Sequence, residues 1–498
     1  MNSILYPGES LKRETSYDVL FDDLNINQII EKISSCWYED ISSLYHLLPE
    51  DIETEEYRKR IFKCIKNKEI RNSFEAFVSA LNERERFCRQ GELVESEDSK
   101  DVWFLREVHQ YVSAVESLNE SLNGTQTALE GLSELKKEIS SYCDSRLFRA
   151  LSEESASLYK ELTSYRIMVS YEEGIFSVLE GCGNGKYESR LSECFPESNE
   201  IFKSPYIQSG DLRAIEREAA RILKKNHKEF FRKIGELRKE YRGYYSEFFD
   251  SLKKELPYYL AFLRFEDKIK DLGYDFCTPE RGEDAEALGL YDLALAIRIA
   301  EEHKKTEKVV ANDVYLKDSE RVFVLTGPNQ GGKTTFARSL GQLVYFSKMG
   351  LDVPAYKAKV PFYTHICTHF SVEESTNSGK GKLVDELERL KPIMNSSKRK
   401  VFVVINELFT TAANYDAVIM GRRVIDHLCD MEANGIYVTH LYELSECNEK
   451  VVSLKAEILG NEERTYRIFR ANYEEKAYSN TQVEKYKLTY EEIRERLG

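Results

Sequence analysis

The sequence predicts a multidomain chain, all-α over roughly its first 300 residues and α/β beyond. Two textures carry that reading. Before Lys304, long Glu/Lys/Arg-rich stretches contain few prolines and repeat apolar residues at helical spacing. After it, short β-rich runs alternate with helical segments, the order of a parallel sheet with crossover helices. One of those runs leads directly into a glycine-rich loop.

Composition narrows the class. The 498 residues are 42% hydrophobic, enough for real cores, and 32% charged, too many for a membrane protein. No apolar run approaches the ~18 residues of a membrane span, and the opening Met-Asn-Ser-Ile-Leu-Tyr-Pro-Gly does not read as a signal peptide. The 10 cysteines are scattered without a Cys-x-x-Cys pair, as expected of reduced thiols in the cytoplasm. A net charge of −15 argues against a protein that coats nucleic acid. It leaves room for a local basic surface.

In the helical part, Gly181-Cys-Gly-Asn-Gly185 marks a turn, and Arg166–Leu179 with the stretch to Gly210 reads as irregular, with room for a small hairpin. From Asp211 a helical pattern runs to Pro257, with Gly235 and Gly243 its only breakers. Leu212, Ile215, Ala219, Ile222, Leu223, Phe230, Phe231, Ile234 and Leu237 recur near a 3.6-residue period. One helix of that length would span roughly 65 Å at ~1.5 Å per residue, long enough to project as a lever. In the α/β part, Val322–Leu325, Val401–Ile405 and Ile436–Val438 read as strands, Val451–Ile458 and Thr465–Arg470 as a hairpin around Gly460-Asn461, and Gln482–Leu497 as a closing helix.

The chemistry begins at Gly327-Pro328-Asn329-Gln330-Gly331-Gly332-Lys333-Thr334-Thr335, which satisfies Gly-x-x-x-x-Gly-Lys-[Ser/Thr] between the strand Val322–Leu325 and helical Phe336–Phe346. Glycines let backbone N–H groups approach phosphates closely, and the start of the following helix favours the anion. Lys333 is expected to reach the β- and γ-phosphates of ATP and the Thr334 hydroxyl to bind Mg²⁺. Such a loop needs an acid at the end of a later strand. Val401–Ile405 ends in Asn406-Glu407, where Asp-Glu is usual. Glu407 is a competent general base, while Asn406 can hold Mg²⁺ only through water and brings no charge. Thr439-His440 follows Ile436–Val438, where His440 can bond a γ-phosphate and sense its loss.

Thr326-Gly-Pro-Asn-Gln-Gly-Gly-Lys-Thr-Thr335 resembles the phosphate loop of the MutS family of mismatch-repair ATPases. Gly350-Leu-Asp-Val-Pro-Ala355, Val438-Thr-His-Leu-Tyr-Glu-Leu444 and Ala311-Asn312-Asp313 are similar to other segments of the same ATPase domain. More weakly, Asp23-Leu-Asn-Ile-Asn-Gln-Ile-Ile30 and Leu288-Gly-Leu-Tyr-Asp-Leu-Ala-Leu295 look like a bacterial MutS-related branch that carries Asn-Glu in this place. The resemblance implies a terminal segment (1–22), a helical core with levers (23–300) and an ABC-type phosphate-loop ATPase domain (301–498). It also implies a homodimer in which the loop of one subunit is completed by a signature segment of the other. Ser375-Thr-Asn-Ser-Gly-Lys-Gly-Lys-Leu383 lies where that segment belongs, with Ser378 and Gly379 its candidates for a γ-phosphate contact. With only about 20 residues before Asp23, a mismatch-reading domain is not expected.

DNA contact is expected on the long helix. Residues 211–243 hold eleven Lys/Arg against six acids in a chain of net −15. Lys224, Lys225, Lys228, Arg232 and Lys233 suit phosphate contacts without base readout. The leading expectation is an ATP-binding, DNA-binding ATPase of DNA repair or recombination control. The alternative is a nucleotide-gated scaffold that hydrolyses ATP little and engages a repair-protein partner.

Overall fold

The computed structural model describes residues 3–7, 18–125, 130–172, 175–180, 209–302, 308–370, 382–394, 400–458 and 464–470. The Gly181–Gly185 turn, the segment Ser375–Gly381, Gly460-Asn461 and the helix expected over Gln482–Leu497 lie outside them. The chain is multidomain, with a helical N-terminal region and mixed α/β sheets toward its C-terminus. It divides into two compact units: Met1–Ile4 with Lys63–Leu256, and Leu5–Phe62 with Pro257–Gly498.

The first unit is built on two long helices, Lys68–Leu93 and Glu97–Gly124. Asn67 and Ser96 start them, each accepting backbone N–H groups of the first turn. Ile70, Phe74, Phe77, Val78 and Leu81 form the buried stripe of the first helix. Leu105, Val108, Val112 and Val115 supply that of the second. A hairpin of β1 (Ile167–Glu172) and β2 (Ile175–Glu180) follows Ser145-capped Arg146–Ser164.

The single helix expected from Asp211 to Pro257 is instead three: Ser209–Asn226, Lys228–Glu240 and Glu247–Asp271. The apolar period predicts a buried residue between Leu223 and Phe230, and that place is held by His227, whose φ of −124° is not helical. Its ring stacks on Tyr165 at 4.1 Å and meets the Glu180 carboxylate at 2.8 Å. Those polar contacts outside the helix decide its conformation. The second break, at 241–246, buries Tyr241 and Tyr244, and the Tyr244 hydroxyl donates to Glu107 at 2.8 Å. Pro257 does not stop the last helix but sits inside it. The fully buried Tyr258, Tyr259 and Phe262 that follow offset the lost hydrogen bond.

The second unit holds two sheets. The smaller has the order β3 (Glu280–Arg281), β7 (Lys357–Val360), β4 (Ala285–Leu290), β5 (Asn312–Leu316). The larger has the order β12 (Arg464–Arg470), β11 (Val451–Ile458), β6 (Val322–Thr326), β10 (Asn434–Val438), β9 (Val401–Asn406), β8 (His365–Phe370). All its pairings are parallel except β11 with β12. β6 and β9 are buried along their whole length, which is why they read as unbroken apolar runs. The helix Lys333–Lys348 is almost wholly buried. Its Gln342 donates to the Leu24 carbonyl (3.1 Å) and to Asp292 (3.0 Å), and accepts from the Leu293 N–H (2.8 Å). Residues near 23 and 290, distant in sequence, thus pack on the helix that follows the glycine-rich loop.

Candidate nucleotide site

Ligands of parallel sheets gather at the C-terminal ends of the strands, and three such ends meet here. The loop Gly327–Gly332 leaves β6, Asn406-Glu407 ends β9, and Thr439-His440 ends β10. Two backbone bonds hold these ends level: Thr439 N–H to Leu325 O (3.0 Å) and Glu407 N–H to Val438 O (3.0 Å).

The loop's shape depends on its glycines at two points. Gly327 has φ 138°, and a Cβ there would lie 3.0 Å from Cβ of Ala456 on β11. Gly332, with φ 84°, is the N-cap of Lys333–Lys348 and sits beneath the Tyr466 ring. Gln330 also has a positive φ, 62°, and accepts a hydrogen bond from Arg464 of β12. Pro328, Asn329, Gly331 and Thr335 complete the loop and the first helical turn. Lys333 is folded onto the loop, donating to Gly327 O (2.9 Å) and Pro328 O (2.8 Å). Burial pushes its ammonium down to about 8, with the Glu407 carboxylate pulling the other way.

Thr334 reaches across β10 and donates to Asn406 Oδ1 at 3.1 Å. Glu407 stands just beyond, in the left-handed region at φ 56°, and its Oε1 lies 3.1 Å from His440 Nε2. A left-handed non-glycine residue costs about 1–2 kcal/mol, so the turn after β9 persists because its surroundings hold it. A cavity of about 800 Å³ opens beside Thr334 and Glu407, lined also by Asn329, Lys333, Val310 and Tyr466. The volume suits a nucleotide-sized ligand. The oxygens of Thr334, Asn406 and Glu407 form an oxygen-only set of the kind Mg²⁺ accepts when waters and substrate phosphates supply its remaining ligands. The described residues hold no cluster of three or more His, Cys, Asp or Glu that could bind a metal by itself.

These groups now stand in the company of known sequences. Residues 323–485 match the family model of MutS domain V. Over those residues the chain is similar to the MutS family. It is similar to the DNA mismatch repair protein MutS of Fervidobacterium nodosum, 28% identical over 150 residues, which is 30% of this chain and 18% of that protein. The MutS of Thermosipho melanesiensis is 23% identical over 248 residues, 47% of this chain and 30% of its own. That of Bacillus cereus is 31% identical over 161 residues, 31% and 18%. The aligned part thus spans less than a third of these MutS relatives. The domain V match begins within β6 and takes in the loop, Asn406-Glu407 and His440.

Two residues of the site carry no motif of their own. Tyr466, at φ 57° and 48% exposed, lines the mouth of the cavity, and Arg464 touches the loop itself. Both lie on β12, and only the hairpin's return path brings them to Gly332 and Gln330. The expected signature residues Ser378 and Gly379 lie outside the described residues.

The basic residues expected to meet DNA lie in the first unit. Lys224 pairs with Asp98 at 2.6 Å, and Arg232 pairs with Glu229 (2.6 Å) and Glu236. Lys225, Lys228 and Lys233 are exposed and take part in no ion pair among the described residues. The adjoining hollow of about 1220 Å³ is lined by Glu97, Asp98 and Asp101 as well as by basic side chains. No described helix is long and apolar enough to cross a membrane.

Proposed function

We propose that the chain is a DNA-associated ATPase of MutS type, with an ABC-type ATP site completed by a second copy of the chain. The observation that carries this reading is that Thr334 and Glu407 line one cavity while bonded to Asn406 and His440, within a domain V match. ATP enters with its phosphates over the N-terminus of Lys333–Lys348. Lys333 exchanges its two loop carbonyls for β- and γ-phosphate oxygens. Thr334 and, through water, Asn406 would hold Mg²⁺, which would supply charge to neutralise the phosphates. Glu407 orients and deprotonates the water that attacks the γ-phosphorus, the bond to the β-bridging oxygen breaks, and ADP and phosphate leave. His440 bonds the γ-phosphate and holds Glu407 until the phosphate departs. Ser378 and Gly379 of the partner copy close the site.

Exposed Lys225, Lys228 and Lys233 give a backbone contact to DNA, consistent with a role in DNA repair like that named for the relatives. A second reading, a nucleotide-gated scaffold that engages a protein partner, draws on the uncharged Asn406 and on the acids that neutralise Lys224 and Arg232. Anisotropy titrations with paired, mismatched and branched DNA, with and without ATP and across salt, separate the two. Salt-sensitive binding supports the first, and no binding to any DNA supports the second.

A further inference from the structure

The helix Lys382–Met394 buries Glu386, Leu390 and Ile393 on one face, at positions i, i+4 and i+7. Leu390 and Ile393 belong to the apolar core under the sheet, together with Leu408, Phe409 and Tyr437. Helical periodicity calls for an apolar residue at 386. A carboxylate stands there instead, only 4% exposed. Burying a charge without a partner is costly, so its contact is informative. Glu386 Oε2 accepts the Phe409 N–H at 3.1 Å.

Phe409 belongs to the turn that presents Glu407. Glu407 and Phe409 both have positive φ, 56° and 63°, with Leu408 between them. This run is unfavourable for side-chain-bearing residues and needs external bonds to persist. One is Glu407 N–H to Val438 O at 3.0 Å, and a second is the carboxylate of Glu386. The helix that carries Glu386 is itself pinned. Arg389 donates to Phe370 O at 2.8 Å, and the His369 ring nitrogen Nε2 lies 3.2 Å from the Glu386 carbonyl oxygen.

We propose that Glu386 is a positioning residue for Glu407: its carboxylate holds the Phe409 amide and thereby fixes the left-handed turn that aims the general base into the cavity. The inference rests on the hydrolytic reading of the site. It also links that turn directly to the helix beginning at Lys382, which follows the segment 371–381 holding Ser378 and Gly379. A shift of that helix would therefore displace the base.

The test uses the full chain with Glu386→Gln, Glu386→Ala and Glu386→Leu, reading kcat, the KM for ATP, thermal midpoint and hydrogen exchange at the Phe409 amide. Glu386→Gln keeps an acceptor oxygen and is expected to stay near the unmutated kcat with the amide protected. Glu386→Ala and Glu386→Leu are expected to lose about tenfold or more in kcat with little change in KM, and to expose the amide. Leu supplies the buried volume, so a kcat loss in Leu at an unchanged thermal midpoint is not a packing effect. Unaltered exchange in Ala and Leu overturns the clamp. Exposed amide with unaltered kcat, or Gln as impaired as Ala, overturns the positioning role. If the unmutated chain binds ATP through Lys333 without turnover, the hydrolytic reading falls and Glu386's part in catalysis with it, while exchange at Phe409 still decides the clamp.

Discussion

Thr334 and Asn406 touch across a whole intervening strand: the hydroxyl from the helix after β6 donates to the carboxamide at the end of β9, with β10 between them. In a site for Mg²⁺-ATP that junction is where the metal's protein ligands belong, and Asn406 lacks the charge an Asp would bring there.

Asn406→Asp restores it. A unit charge about 4 Å from another is worth about 1 kcal/mol even in bulk water, and a divalent ion doubles that. The Mg²⁺ concentration for half-maximal ATPase is expected to fall by about tenfold or more. A titration that does not move, or rises, would show that something other than metal affinity sets this residue.

Glu407→Gln keeps shape and hydrogen bonding to His440 but cannot take a proton. Nucleotide binding should persist while single-turnover hydrolysis drops about 10²–10⁴-fold. Lys333→Ala should fail earlier, at binding. Equal hydrolysis in Glu407→Gln and the unmutated chain removes Glu407 as the base.

Lys333 predicts a pH dependence. Its folded-state ammonium is lowered to about 8 from an ordinary value of 10.5. Between those values the unfolded chain binds more protons, so this group makes the empty protein more stable as pH rises through that window. ATP needs the protonated form, so affinity should move the opposite way, falling as pH climbs past about 8, with proton uptake on binding. Calorimetry at pH 8.5 in two buffers of different ionisation enthalpy measures that uptake. Buffer-independent heats would contradict it.

Reversing Lys225, Lys228 and Lys233 to Glu, while leaving the ion-paired Lys224, is the sharper DNA test. If all three meet phosphates, the log–log salt slope should shrink by about 2.7. Affinity for paired and mismatched duplexes should fall alike, and ATP binding should not change. An unchanged slope places the contact elsewhere.

The parts of this molecule legible from sequence are those that local chemistry dictates. β6, β9 and β10 are buried on both faces, so their apolar runs are continuous, and the loop after β6 announces itself through its glycines and Lys333. What escaped depends on contacts made at a distance. His227 looks like one more helical residue until Tyr165 and Glu180 are beside it. Tyr466 and Arg464 become site residues only when β12 returns beside β11. Leu24 and Asp292 have no pattern that points to Gln342, yet both bond it. Glu386 was hidden for the opposite reason: a Glu in a charged helix is ordinary, and only burial singles it out.

The breaks at His227 and at 241–246 change what the basic segment can do mechanically. Compliances in series add, as springs joined end to end do, so a jointed rod bends first at its joints. Within residues 209–240 the joint is braced, His227 by Tyr165 and Glu180, so the segment is two rods meeting at a held angle and carries no thrust straight along one axis.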